Sequence, residues 1–480
     1  MTQPAVTITE LDGQLGVLPP SAGRILALVG ASSAGPIDTP ATFARVKDLV
    51  NAFGQGPLVE AAAHEVERYG RPVLVVRTGQ SAPGAASDVT FTGTGTSVVT
   101  VDATGVHDDY EAAIKVVAGG TVGTTGITFQ YSLDRGRTLS SVVSLGIAVT
   151  YTVPDSGVIF NFAAGTLVTG DVATVVISAP QWNAAELGTA LDALGLSTVS
   201  WEGVEIVGSL TASTFDTVEL KLTGLSNLGK NHWWVGNTRL PDEGEDEATY
   251  LAAMSLAFGS KASKHGALCY GGCKLTSSVS GRKYRRPVAF VAAAREQFLT
   301  EEQDSALIDL GPLPCSIRDD AGNPDEHDES ANPGADDARF YTLRTWEGYQ
   351  GVYVNRPRLF SVTGSDFQLV PHRRVMNVAR DVLRNYFSRR LNKPVRVDRD
   401  TGFILEAEAL EIESGATAAL RTALTTKPKA SDAVFVLSRY DNLLASKTLT
   451  GDARVTPLAY PELVEIALGF FNPALQVLAA

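Results

Sequence analysis

Several stretches of this 480-residue chain hold side chains that could do chemistry if they met. His64-Glu65-Val66-Glu67-Arg68 begins like the helix of a zinc protease, in which two histidines four residues apart converge on one metal. Arg68 stands where the second imidazole has to be, so the segment reads as helix surface. His265, Cys269 and Cys273 are spaced by four, which would align metal ligands on a helix face. Gly266, Gly271 and Gly272 turn that stretch into strand and turn instead, and no fourth ligand follows. Gly30-Ala-Ser-Ser-Ala-Gly-Pro36 is rich in glycine but lacks the Gly-Lys-Ser/Thr of a phosphate loop and the spacing of a dinucleotide fingerprint. Asp319 to Asp337 holds eight carboxylates with no Lys or Arg, and without the alternating ligands and closing Glu of an EF-hand. It reads as an exposed loop, with a contact surface in an assembly as the second reading. No Ser–His–Asp or Cys–His set stands out among six histidines. These residues predict no catalytic centre, no metal and no cofactor.

Charge is more informative. The net charge is −13, which argues against direct nucleic-acid binding. Against that background, Arg373, Arg374, Arg380, Arg384, Arg389, Arg390, Lys393, Arg396 and Arg399 face only Asp381 and Asp398, a local excess of +7. His372 to Leu391 has a helical pattern. Arg373, Arg380 and Arg384 fall in one stripe, and Val375, Val378, Val382, Leu383 and Phe387 cover the other side. A docking helix for an acidic partner and a solvated face are both open readings. The reversal of sign favours docking. A second basic cluster, Arg282-Lys-Tyr-Arg-Arg286, is short and precedes a strand.

The elements that position these residues follow from pattern. The length exceeds one hydrophobic core, so two to four domains are expected. Hydrophobic content of 44% and charged content of 19% are those of a globular chain, and no apolar run reaches the ~20 residues of a membrane span. Met1-Thr-Gln-Pro-Ala lacks the features of a signal peptide, so cytosolic synthesis is expected. Cys269, Cys273 and Cys315 are too few for a disulfide framework and read as buried thiols, with a bridge between subunits as the alternative. Ala5–Glu10 alternates like a strand and is set off by Asp12-Gly13 and Pro19-Pro20. Arg24–Gly30 reads as a buried strand, followed by helices over Phe43–Phe53 and Leu58–Tyr69 and a strand at Pro72–Arg77. Residues 81–182 turn to short Val/Thr runs punctuated by Gly, an all-β stretch. Helices at Ala184–Leu194, Phe215–Leu225 and Asp246–Phe258 then alternate with strands at Val204–Val207, Trp233–Val235 and Gly266–Tyr270, and a further strand is expected at Val288–Val291. Phe340–Thr345 and Val352–Asn355 read as a hairpin through Glu347-Gly348, and Leu463–Phe471 as a terminal strand.

The predicted fold is therefore an α/β (α+β) layered core with an inserted all-β domain, sandwich or small barrel, and extended terminal arms. The expected divisions are an arm at 1–22, a discontinuous core at 23–80 and 184–370, the β insertion at 81–183, and a C-terminal domain at 371–472.

Three segments together resemble the sheath protein of contractile phage tails and related injection systems. They are Leu26–Pro36 with Thr42–Gly54; Gly56-Pro-Leu-Val-Glu-Ala-Ala into Tyr69–Gly79; and the C-terminal order of arginine-bearing helix, Leu391-Asn-Lys-Pro, strand-rich stretch and Ala459-Tyr-Pro-Glu-Leu-Val-Glu-Ile. The resemblance rests on their order and spacing. It implies a structural subunit rather than an enzyme, stacked in sixfold rings around a tail tube in a strained extended state. Contraction would drive the tube through the target cell envelope without nucleotide hydrolysis. Implied partners are further copies of itself, the tail tube protein, and the baseplate and tail terminator proteins, with no direct nucleic-acid binding and no membrane insertion. The implied location is the virion tail, assembled in the host cytoplasm. The alternative from a different class is a baseplate or receptor-binding protein of such a tail. The family's lattice is held by strand exchange through terminal arms, which would fall here on Val6, Ile8, Leu463, Val464, Ile466, Leu468 and Phe470. Arg373, Arg380 and Arg384 would face the tube, and the β insertion would point outward.

Overall fold

The computed structural model describes residues 25–469, in two compact units that divide between Lys393 and Pro394. In the first unit the strand Leu26–Gly30, apolar at every position, lies inside a six-stranded sheet. The strand order is Gly266–Cys269, Trp233–Asn237, Gly203–Ser209, Leu26–Gly30, Val73–Arg77, Ala41–Phe43. All neighbours run parallel except the last, which is antiparallel. Because successive side chains point to opposite faces, the strands feed two cores. Leu26, Leu28, Val73 and Val75 meet α1 (Val46–Phe53), α2 (Pro57–Tyr69) and a later helix, Val288–Phe298, on one face. Ala27, Val29, Leu74, Val76, Val204 and Ile206 meet α3 (Ala184–Gly195), α4 (Ala212–Asn227) and α5 (Glu247–Phe258) on the other. The helix starts are written in the sequence. Asn183 and Glu186 form a reciprocal capping box on α3, and the Asp246 side chain accepts from Thr249 N at the start of α5.

Two expectations are corrected. Val288–Val291 is not a strand but the first turn of α6 (Val288–Phe298), which begins directly after Pro287. The run is buried all round, so it carries no period to separate helix from strand. The acidic stretch is not simply an exposed loop, because Glu326, Asp328, Glu329 and Asp336 are buried. Arg285 Nη2 reaches Glu326 at 3.1 Å, and Arg356 and Arg358 reach Asp336 at 3.3 and 3.1 Å. His327 lies between Glu247 at 2.6 Å and Glu329 at 3.0 Å. Burial opposes its charge, but these two carboxylates outweigh burial and raise its pKa to about 9. The stretch folds inward because its cations come from distant parts of the chain.

Between Ala85 and Ser178 the chain forms strands and no helix. One open sheet runs Val143–Ser144, Thr128–Ser132, Tyr110–Ala118, Val172–Ser178, Ala85–Ala86, and another runs Thr150–Thr152, Ile159–Phe162, Val99–Asp102. Val99, Ile114, Phe129, Phe160, Phe162 and Val175 share a core of their own. This region is joined to the rest of the unit by a buried ion pair, in which Arg286 Nη1 and Nη2 reach Asp108 at 3.0 and 2.5 Å. The hairpin of Thr342–Trp346 and Tyr349–Arg356 turns at Glu347-Gly348, where Gly348 takes a φ of +82° that suits a residue without Cβ.

Some polar groups in the core are left over. Glu65 on α2, expected with His64 on a helix surface, is buried as His64 is, and so is Glu205 on the central sheet; both Glu65 oxygens and Glu205 Oε1 have no hydrogen-bond partner among the described residues. Burial pushes Glu65 up to about 8, and burial with the nearby Glu65 raises Glu205 well above the usual carboxyl range.

The second unit is small. On α8 (Glu406–Leu424), Ala409, Ile412, Ala416, Leu420 and Leu424 recur at helical spacing and are buried. They pack with Ala433, Phe435 and Leu437 of the strand Ala430–Leu437, which pairs antiparallel with Gly451–Pro457. Arg439 pins this hairpin's connection to the helix, reaching Glu406 and Glu413 at 2.7 Å each.

Candidate assembly surfaces

The hairpin of the second unit is a two-stranded sheet, so each strand keeps one edge without a ladder partner among the described residues. An unpaired edge is a row of backbone donors and acceptors ready for another strand. In the same unit, residues 458–469 have no regular secondary structure. Leu463, Val464, Ile466 and Leu468 along it are 76, 70, 80 and 96% exposed. Four large apolar side chains within six residues, all in solvent, are unusual for a monomer. Val6, Ile8 and Phe470 lie outside the described residues.

The basic helix is α7 (Val370–Ser388), with Pro371 in its first turn, where a missing N–H costs nothing. It belongs to the first unit, and its two halves differ. Arg373, Arg374, Val375, Asn377 and Ala379 are buried. Arg374 is a clamp: it reaches Glu202 at 2.6 Å, Glu296 O at 2.6 Å and Leu299 O at 3.1 Å. Arg373, expected on an outward stripe, is instead covered, with its guanidinium 4.7 Å from the centre of the Phe367 ring. Helical spacing puts it in line with Arg380 and Arg384 but does not reveal what packs over the first two turns. Arg380 is half-buried and donates to Ser226 Oγ at 2.8 Å. Arg384 is exposed above Gly229, a φ +77° position where any Cβ would collide with the guanidinium. Arg384, Arg389 and Lys393 are exposed and have no ion-pair partner among the described residues. The free positive surface of α7 therefore lies at its C-terminal end. Arg374, counted in the basic cluster but not in its stripe, holds the helix in place, and its partner Glu202 gave no local sign in the sequence.

Cys269, Cys273 and Cys315 are free thiols, the first two buried. Among the described residues, no group of three or more His, Cys, Asp or Glu side chains is placed to hold a metal ion, and no helix is long and apolar enough to cross a membrane.

This architecture, a mostly parallel sheet between helical layers with a strand-only region after its third strand and a helix–hairpin unit near the end, is a known fold. It is shared with a chain of the contracted-state anti-feeding prophage (AFP) baseplate, with a TM-score of 0.50 and 13% identity over 98% of each chain. The sheath tail proteins of Listeria innocua and Desulfitobacterium hafniense are similar at TM-scores of 0.45 and 0.42, with 13 and 11% identity. They are matched over 92 and 95% of this chain and 96 and 100% of theirs. The chain belongs to the DUF2586 family, whose N-terminal-domain model matches residues 3–358. No curated protein matches it.

Proposed function

We propose that the protein is a non-enzymatic structural subunit of a contractile tail sheath. Copies stack as sixfold rings around a tail tube in a metastable extended state, and contraction drives the tube through a cell envelope. The supporting observation is the pairing of an unfilled two-stranded hairpin with an apolar, solvent-exposed terminal segment in the same unit. In this reading the segment around Leu463, Val464, Ile466, Leu468 and Phe470 adds as a strand to a neighbour's hairpin, and the arm carrying Val6 and Ile8 joins the same exchange. Such tethers let subunits rotate without separating. The exposed Arg384, with Arg389 and Lys393, meets an acidic tube, Arg380 contributes at its edge, and Arg373 acts from below the surface. Exposed pairs of this kind contribute ~0–1 kcal/mol each and release readily. Further partners in this reading are baseplate and tail terminator proteins. The strand-only region, residues 81–183, faces outward. The assembled particle is a virion tail or a related injection device built in the host cytoplasm.

The fold shared with a baseplate chain favours a second reading, a baseplate or receptor-binding component. Negative-stain microscopy of the purified full chain separates them. The expected result is stacked rings, tubes or sheath-like cylinders. A persistent monomer or trimer at high protein concentration would overturn the sheath reading in favour of the second.

A further inference from the structure

The first half of α7 buries a cation that has no ion-pair partner among the described residues and only the Phe367 ring beside its guanidinium. Arg373 is 4% exposed. Its Nε donates to Asn377 Oδ1 at 2.9 Å, and Arg373 Nη2 and Asn377 Nδ2 are buried with no acceptor among the described residues. Arg380, two helical turns on, lies on the same face and is tied to Ser226. Asp381 acts on Arg380 at longer range but gives its oxygen to Asn231 Nδ2 at 2.8 Å. Neither Arg373 nor Arg380 has an ion-pair partner among the described residues. Burial first, and then the charges of Arg373 and Arg380, pull the His265 pKa down to about 4, so its imidazole reports on the charge around this face. A guanidinium keeps its proton at neutral pH, and an unpaired buried charge is strongly unfavourable, so this arrangement of donors calls for a counter-charge.

We propose that Arg373, Asn377 and Arg380 form an oxyanion site that takes one carboxylate or phosphate-type group, with His265 as its titration reporter. The group arrives either as a free anion or on an acidic side chain of a neighbouring molecule. The site belongs to the isolated subunit and does not depend on the sheath reading.

The test is thermal unfolding of the full chain in inorganic phosphate and in acetate, each against chloride at equal ionic strength. One of the two anions is expected to raise Tm saturably by about 2 °C or more in the wild type, and not in Arg373→Met. With that anion present, the His265 imidazole titration followed by NMR moves up in the wild type and stays fixed in the variant. In chloride, Arg373→Met is at least as stable as the wild type, because it removes an uncompensated charge. If that variant does not fold, Arg380→Gln supplies the same comparison. Where the chain polymerises, inhibition of assembly by the same anion, lost in Arg373→Met, assigns the site to a neighbour's acidic side chain. Assembly indifferent to the anion assigns it to a free one. Equal Tm responses in wild type and variant, or no anion-specific response, would overturn the proposal.

Discussion

Removal of residues 463–480 is expected to abolish polymerisation while leaving the subunit folded. Leu463, Val464, Ile466 and Leu468 are almost entirely in solvent, so they contribute little to the stability of their own chain. Buried on a neighbour, each would contribute about 1.5–3 kcal/mol, with the backbone hydrogen bonds of an added strand besides. Ordering the segment offsets part of this gain. If half remains, the loss weakens association by about a hundredfold or more, since ~1.4 kcal/mol is a factor of ten. Light scattering would report the missing polymer, and an unchanged urea midpoint would show an intact subunit. Normal polymer formation by the truncated chain would remove the C-terminal segment from the lattice. Deleting residues 1–18 should give the same phenotype if the first arm takes part in the exchange.

The largest stability effect is expected at Arg286. Its guanidinium is buried against Asp108, with Glu60 and Asp109 close by, and together they join the strand-only region to the core. Arg286→Met leaves Asp108 without its partner, and breaking a buried pair from one side costs ~3–5 kcal/mol. The loss should grow with pH. Burial first, and then Asp108, raise Glu60 to about 7 and Asp109 to about 6, while Arg286 works against the shift. A carboxyl raised in the folded state contributes stability that is complete below its unfolded value near 4.5 and lost as pH rises through about 7. Without Arg286 that ionisation is less tolerable still, so the variant should lose more at pH 8 than at pH 5. Urea unfolding at the two pH values measures this. A loss below ~1 kcal/mol, or one independent of pH, would show that the pair does not hold the two regions together.

Much of the core was legible because its signals are local. Leu26–Gly30 is apolar at every position, as a strand covered on both faces must be, and Asn183 with Glu186 announces α3 from sequence alone. The Glu347-Gly348 turn fixed its hairpin for the same reason. What stayed hidden depends on distant residues. Val288–Val291 looks like any short apolar run until it is known to be enclosed on all sides. The acidic stretch looked solvated because Arg285, Arg356 and Arg358, which neutralise it, lie outside it. Spacing aligns Arg373, Arg380 and Arg384 on α7, but the cover over Arg373 comes from elsewhere in the fold, so their exposure could not be read from the stripe. Leu463–Phe471 was expected as a strand, but its described part, to residue 469, has no regular secondary structure, and Leu463, Val464, Ile466 and Leu468 lie exposed.

The most direct measurement of the central claim is a cryo-EM reconstruction of the assembled polymer, read at the hairpin of Ala430–Leu437 and Gly451–Pro457. The predicted result is a larger sheet, in which strands from other copies, carrying Leu463–Phe470 and Val6–Ile8, lie along the hairpin's two open edges. A map in which the hairpin stays two-stranded, with both arms folded back on their own subunit, would contradict it.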